Sequence, residues 1–243
     1  MSKHHMIQYY ENSWDNYYES MEENASAIPW DVTPENACAK DWTIMQEHMD
    51  VNLPLMDIGC GIGTQSAFLS EYFIRVIGTD VSQKAVDIAR QHFGKVDNLS
   101  FEKLNIIQPD QSRRFHSTHG DLNLYMRGTL QQILNDDRPG FSESISDLLG
   151  QHGKLYFIEL STEAKTFFVK LFQEKGGLPP MLRRVLTQKV TQLVGVHTDD
   201  LIHIFPPERF TILSSGRSSI ALKTSAHETV DVPATYGVIQ NCR

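Results

Sequence analysis

Leu55-Met56-Asp57-Ile58-Gly59-Cys60-Gly61-Ile62-Gly63-Thr64 decides the fold: an apolar run ends in an acid, three glycines follow at alternate positions, and a helical pattern opens at Thr64. The local reading is strand, sharp turn, helix. Glycines let the backbone turn tightly and let a ligand approach where a Cβ would collide. The helix opening near Thr64 points its free N–H groups at the same spot. A dinucleotide fingerprint would put its third glycine at position 64. Thr64 stands there instead, and Gly63 makes the spacing GxGxG, which turns the reading away from a nicotinamide cofactor.

Outward from this turn an alternating rhythm runs through the chain. Arg75 to Thr79 is a second short run, ending at Asp80, about where the ribose of a nucleoside bound over the glycine turn would lie. A carboxylate there can accept from both ribose hydroxyls, although an Asp in that place also reads as a cap for the helix starting near Ser82. A helix is expected over Gln83–Phe93, then strands at Leu99–Leu104 and Asp121–Met126. Next come a helix after Gly128, another at Ser142–Leu149, and a strand at Lys154–Leu160. Short strands alternating with helices imply a parallel sheet of right-handed βαβ units. Phe210–Leu222 and Tyr236–Gln240 read as two closing strands with no helix between them, hence antiparallel.

The flanks depart from that rhythm. Residues 7 to 24 mix aromatics and acids at helical spacing, which predicts one or two short amphipathic helices. Pro29 makes the segment to Asp31 an irregular crossing, and Pro34 to Met49 resumes as helix. Glu163–Glu174 is helical, Gly176-Gly177-Leu178-Pro179-Pro180 breaks the chain, and Met181–Val194 is a further helix. Its basic residues Arg183, Arg184 and Lys189 read most simply as a solvated face, though an inward Arg could hold an acidic substrate.

With 243 residues, 40% of them hydrophobic and 21% charged, the chain fits one α/β domain spanning residues 1–243. A formal charge of -8 argues against a broad basic surface for nucleic acid or anionic lipid. Cys38, Cys60 and Cys242 form no CxxC pair, and the ten histidines show no HxH or HExxH spacing. Neither a disulfide framework nor a metal site is indicated. The N-terminus lacks the pattern of a signal peptide, and no window approaches ~18 consecutive apolar residues. A cytoplasmic protein without membrane partners is the expectation.

Asp57-Ile58-Gly59-Cys60-Gly61-Ile62-Gly63 together with Gly78-Thr79-Asp80-Val81-Ser82 resembles the first two motifs of class I S-adenosylmethionine (SAM)-dependent methyltransferases. The resemblance is clear over residues 50 to 160 and holds only in outline beyond. It implies a doubly wound, mostly parallel seven-stranded sheet with an antiparallel last strand, helices on both faces and an N-terminal helical lid. It also implies SAM as cofactor and S-adenosylhomocysteine (SAH) as product, without metal. Asp57, Gly59, Cys60, Gly61, Gly63 and Thr64 would pass under the amino acid and ribose, and Asp80 with Val81 would hold the ribose. The family's third position often carries an acid that accepts from the adenine amino group. Here it is Leu104-Asn105-Ile106, where the Asn105 amide oxygen could accept in its place. At the fourth position, Gly120 to Gly128, the strand end would bring Tyr125, Met126 and Arg127 to the reacting methyl.

The resemblance extends to small-molecule members of the thiopurine and tellurite type, in which an aromatic N-terminal segment folds over SAM as a lid. That assigns Tyr17 and Trp30 to the cofactor, and an aromatic face beside a sulfonium is worth ~0.5 to 2 kcal/mol by cation–π attraction. Residues 1–50 would form the lid, and 162–208 a helical insertion capping the substrate pocket. SAM is already activated, so alignment supplies most of the rate for a soft acceptor. An oxygen or carbon acceptor would need a base, with His119, Tyr125 and Asp31 as candidates, and the catalytic set is Tyr125, Arg127 and His119. The Asn/Asp-Pro-Pro-Tyr/Phe signature is absent and basic residues are dispersed, which points to a small-molecule acceptor and a monomer or homodimer. Two other readings stand beside this one: a nicotinamide-dependent oxidoreductase, for which no Tyr-x-x-x-Lys pair is found, and a silent SAM-binding partner of another subunit.

Overall fold

The computed structural model describes residues 3–21, 28–187 and 195–242. Seven strands form one sheet in the order β3-β2-β1-β4-β5-β7-β6: β1 (Leu55–Ile58), β2 (Val76–Asp80), β3 (Leu99–Lys103), β4 (Asn123–Arg127), β5 (Leu155–Leu160), β6 (Phe210–Ser225) and β7 (Glu228–Asn241). Pairing is parallel from β3 through β5, and β7 runs antiparallel between β5 and β6. The expected doubly wound sheet with an antiparallel last strand is what forms. Because β2 and β4 flank β1 and the chain leaves it in opposite directions, a crevice opens at the carboxyl ends of these strands.

Side-chain alternation divides the core by face. Met56, Ile58, Leu124, Met126, Leu155 and Phe157 pack on one side with α5 (Pro109–His119), α6 (Arg138–Leu149) and α9 (Thr198–Ile204). Leu55, Tyr125, Tyr156, Ile158 and Leu160 pack on the other with α2 (Cys38–Met45), α3 (Thr64–Leu69), α4 (Gln83–Phe93), α7 (Glu163–Lys175) and α8 (Pro180–Thr187). On this second side α1 (Lys3–Glu19) lies against α4. There the Asp15 carboxylate accepts from the Ser82 hydroxyl (2.6 Å) and the Lys84 N–H (3.1 Å) at the start of α4.

Several local expectations change. Helix α5 does not register in the sequence, because only Ser112 and Phe115 of its eleven residues are buried and its apolar stripe is too thin. The helix expected after Gly128 is two 3-10 turns, Leu130–Gln132 and Asn135–Asp137. Helix α6 then opens at Arg138 with a proline in its first turn, earlier than Ser142. The helix expected from Pro34 is a 3-10 turn over Pro34–Asn36 and then α2, split at Ala37 (φ -132°, ψ -106°). Strand β7 begins at Glu228, not Tyr236. Pro233, which has no N–H to give a ladder, lies just beyond the last β5 pair, Leu160 opposite Ala234, where it pairs with Ser219 of β6 and its carbonyl accepts from Ser161 N–H (3.0 Å). Lys189 of the expected basic helix lies outside the described residues.

Candidate active site

Each strand of the crevice delivers its part through its carboxyl end. After β1, Gly59 and Cys60 donate their N–H groups to the Thr79 carbonyl (2.8 and 2.9 Å), which folds the glycine turn over β2. Gly61 then donates to Asp80 Oδ2 (3.0 Å), while Asp80 Oδ1 accepts from Ser82 N–H (2.9 Å). The turn and the acid are therefore one unit. Gly61 has φ +54°, and a Cβ there would lie 2.8 Å from the Tyr18 hydroxyl, so side-chain-free backbone is required on two grounds.

One cavity runs from this unit to the far strands. Its lining includes Asp57, Gly59, Cys60, Gly61, Thr64, Asp80, Val81, Asn105 and Ile106, with Tyr125, Arg127, Trp30 and Asp31. Four of the expected residues are placed elsewhere. Gly63 (φ +88°) caps α3, and a Cβ there would strike the Phe101 ring at 2.7 Å, so it serves helix-to-strand packing. Met126 points to the opposite face of β4, among Leu124 and Phe141. Tyr17 is buried beneath the lining, its ring stacked on Trp30 at 5.2 Å, and Tyr18 beside it reaches the cavity. His119 is also remote. Helix α5 carries it back toward the start of β4, where its ring packs on Phe115 (4.4 Å), its Nε2 lies 3.7 Å from Glu102, and burial pushes its pKa down.

Burial governs the acids. Asp57 is pushed up to about 7 by burial, against a bond from the Ser66 hydroxyl (2.6 Å). Asp80 is pushed up to about 6 by burial, against the backbone N–H groups of Ser82 and Gly61. A cationic or hydroxyl-bearing ligand would restore to both what water no longer supplies. The Asn105 oxygen accepts from Ile107 N–H (3.3 Å), and its buried Nδ2 has no partner. Asn105 therefore offers an unpartnered donor, while its oxygen, with one lone pair taken by Ile107, can still accept as expected from the sequence.

A second cluster lies at the end of β4. Asp41 Oδ2 accepts from the Tyr125 hydroxyl (2.7 Å) and from Arg127 Nη1 (2.8 Å), and Oδ1 accepts from the Tyr156 hydroxyl (2.9 Å). Burial drives the Tyr125 pKa far up, so this residue stays a phenol bonded to Asp41 and is no base. Glu159, pushed up to about 7 by burial, accepts from the N–H groups of Thr129 (2.9 Å) and Leu130 (2.8 Å), fixing the turn after Arg127. Asp41 and Glu159 carry no sequence motif. Only their positions, a carboxylate within the short N-terminal helix α2 and one inside an apolar strand, could have drawn attention to them.

The cover is aromatic and apolar. Trp14 meets Trp30 edge-on at 5.7 Å and Tyr17 at 5.8 Å, and Tyr17 meets Tyr18 at 5.4 Å. Lys223 N–H of β6 donates to the Pro29 carbonyl (2.7 Å), tying this segment to the far hairpin, and Lys223 Nζ lies 3.7 Å from Asp31. Leu160, Leu182, Val185, Ile220 and Leu222 complete the wall. Among the described residues no group of three His, Cys, Asp or Glu is placed to hold a metal ion, and no helix is long and apolar enough to cross a membrane.

Residues 56–155 match the family model of a methyltransferase domain. A solved structure of a SAM-dependent methyltransferase from Anabaena variabilis is 33% identical, with a TM-score of 0.88 over 96% of this chain and 95% of that one. The N-methyltransferase NodS from Bradyrhizobium japonicum, solved with SAH, shares the fold at 18% identity and TM-score 0.57, over 94% and 100% of the two chains. A curated relative, the tRNA/tmRNA (uracil-C(5))-methyltransferase of Campylobacter lari, is 24% identical over 126 residues. The match takes in 49% of this chain and only 36% of that protein's length.

Proposed function

This chain belongs to the SAM-dependent methyltransferases, and from that premise we propose that it transfers the SAM methyl group to a small-molecule acceptor, giving SAH. The observation that carries the reading is the continuity of the cavity. It joins the Gly61–Asp80 unit to an apolar chamber walled by Leu160, Leu182, Ile220 and Leu222 and covered by α1 and α8. We further assign residues 1–50 the role of lid and residues 162–208 that of a cap over the acceptor. A membership based on 33% identity over almost the whole chain leaves no ground for the nicotinamide alternative.

The residues present fit the cofactor. The Gly61 backbone leaves room that a Cβ would fill, Asp80 offers a buried carboxylate to a ribose diol, and Asn105 offers a donor that lacks a partner. Asp57 suits the ammonium of an amino acid. SAM, when bound, supplies a methyl group on a sulfonium, ready for in-line displacement. The chain's part is then alignment and exclusion of water. Trp30 and Tyr18 line the pocket, and the Tyr10 hydroxyl pins α1 to the turn after β4 by donating to Asp137 (2.8 Å) and accepting from Leu134 N–H (2.9 Å). With Tyr125 bonded to Asp41 and His119 distant, Asp31 is the lining group left for a proton, so an acceptor nucleophilic without deprotonation suits the site best.

The test is methyl transfer from labelled SAM by the purified chain alone, offered a pool of metabolites below ~1 kDa and, separately, total tRNA. Label is expected in the small-molecule arm. Label confined to tRNA, the substrate type of the Campylobacter relative, would overturn the reading, and absence of transfer in both arms would favour a silent SAM-binding partner.

A further inference from the structure

The chemistry of the acceptor can be read one step further, on the premise of the cofactor reading above. Among the described side chains that line the cavity, Arg127 is the basic one. Its Nη1 is bound by Asp41, but Nη2 is buried and has no partner. Asp41 cannot turn to satisfy it, because both carboxylate oxygens are already held by the hydroxyls of Tyr125 and Tyr156. The turn after β4 is fixed as well, by Glu159. Arg127 is thus locked in place with the donors of Nη2 left over.

A buried donor without a partner is costly, and a ligand oxygen that removes the deficit gains correspondingly in affinity. A carboxylate oxygen gains most, since both partners are then charged. The same cavity is walled by Leu160 on the same sheet face, Leu182 on α8, and Ile220 and Leu222 on β6, with Thr129, Gln131 and Gln132 of the turn after Arg127 as neutral polar lining. Such a chamber takes a mainly apolar body and orients it by a charged contact at one end. An amine in the same place would meet the guanidinium charge.

We propose that Arg127 Nη2 receives a carboxylate oxygen of the acceptor, so that the substrate is a compact, mainly apolar carboxylic acid held by Arg127 with its reactive atom turned toward the donor methyl. Benzoate, benzyl alcohol and benzylamine, of one size and three charges, are suitable probes. Each is titrated by NMR into the SAH-loaded and the SAH-free protein. Benzoate is expected to bind at least about tenfold more tightly than the other two. Arg127→Lys, which keeps a cation against Asp41 but lacks the second arm, is expected to remove that preference while SAH affinity stays nearly unchanged. Arg127→Met should do the same, and Arg127→Lys carries the test if the uncompensated Asp41 prevents folding.

Equal binding of the three probes to the wild type would overturn the proposal. So would a large loss of SAH affinity in Arg127→Lys with the benzoate preference intact, which would give Arg127 to the carboxylate of the donor itself. Failure of the wild type to take up SAH would strike the cofactor reading alone, because the comparison in SAH-free protein still decides what Arg127 binds.

Discussion

Asp41, on the helix preceding the glycine turn, and Arg127, at the end of β4, form a buried ion pair at 2.8 Å that ties the N-terminal segment to the reaction end of the sheet. Neither charge has bulk water to fall back on, so removing one leaves the other buried and uncompensated. Asp41→Ala should therefore destabilise the fold by about 3 to 5 kcal/mol, read from urea or thermal unfolding. A loss below about 1 kcal/mol would mean that the two tyrosine hydroxyls and Arg127 find other partners.

Far from the cavity, Asp121 gathers His116 Nε2 (2.9 Å), His152 Nδ1 (2.7 Å) and the N–H groups of Gln151 and His152 (2.9 and 3.0 Å). Partial burial opposes ionisation, and these bonds outweigh it, holding the pKa at about 2. A folded-state pKa below the unfolded value gives stability that is present above about pH 4 and drains away as pH falls toward 2. Asp121→Ala should cost about 1 to 3 kcal/mol at neutral pH, and its penalty should shrink through that acid window. Chemical unfolding at pH 7, 4 and 2.5 provides the check, and a penalty independent of pH would contradict it.

Gly61→Val should abolish SAH binding while leaving the far-UV circular dichroism close to that of the wild type. The added side chain must enter beside the Tyr18 hydroxyl, at a positive φ that valine rarely adopts. Tyr18→Phe combined with Gly61→Val separates the two causes. Partial recovery of calorimetric affinity would assign the loss to the tyrosine, and no recovery would assign it to the backbone and the cofactor's own volume.

Much of this site was legible because backbone-bound functions leave sequence signatures. The Gly59–Gly61 turn needs glycine, and Asp80 closes β2 within reach of it, so both show in the spacing. The alternation of short apolar runs and helices gave the sheet for the same reason. Polar helix α5 escaped, because its single buried aromatic, Phe115, makes no periodic stripe. Position in a motif points Gly63 and Met126 toward the cofactor, whereas the Phe101 ring and one-residue alternation along a strand decide where they sit. Asp41 joins Arg127 across 86 positions of sequence, a contact that no local pattern encodes.

The affinity for SAM should depend on pH through two acids in the pocket. Burial raises Asp57 to about 7 and Asp80 to about 6 in the free protein. An ammonium beside Asp57 and ribose hydroxyls donating to Asp80 both favour the ionised carboxylates, so binding lowers both pKa values and releases protons. Affinity is then full above about pH 7 and falls as pH drops through 7 and then 6, approaching a tenfold loss per unit of pH for each acid protonated. Calorimetric titration with SAH from pH 8 to 5 reads this directly, and buffers of differing ionisation enthalpy count the protons released. Asp80→Asn should flatten the lower part of the curve and weaken binding by about 1.5 to 3 kcal/mol at pH 8, while the step near 7, owed to Asp57, should persist. An affinity constant over that range would remove both carboxylates from the cofactor contact.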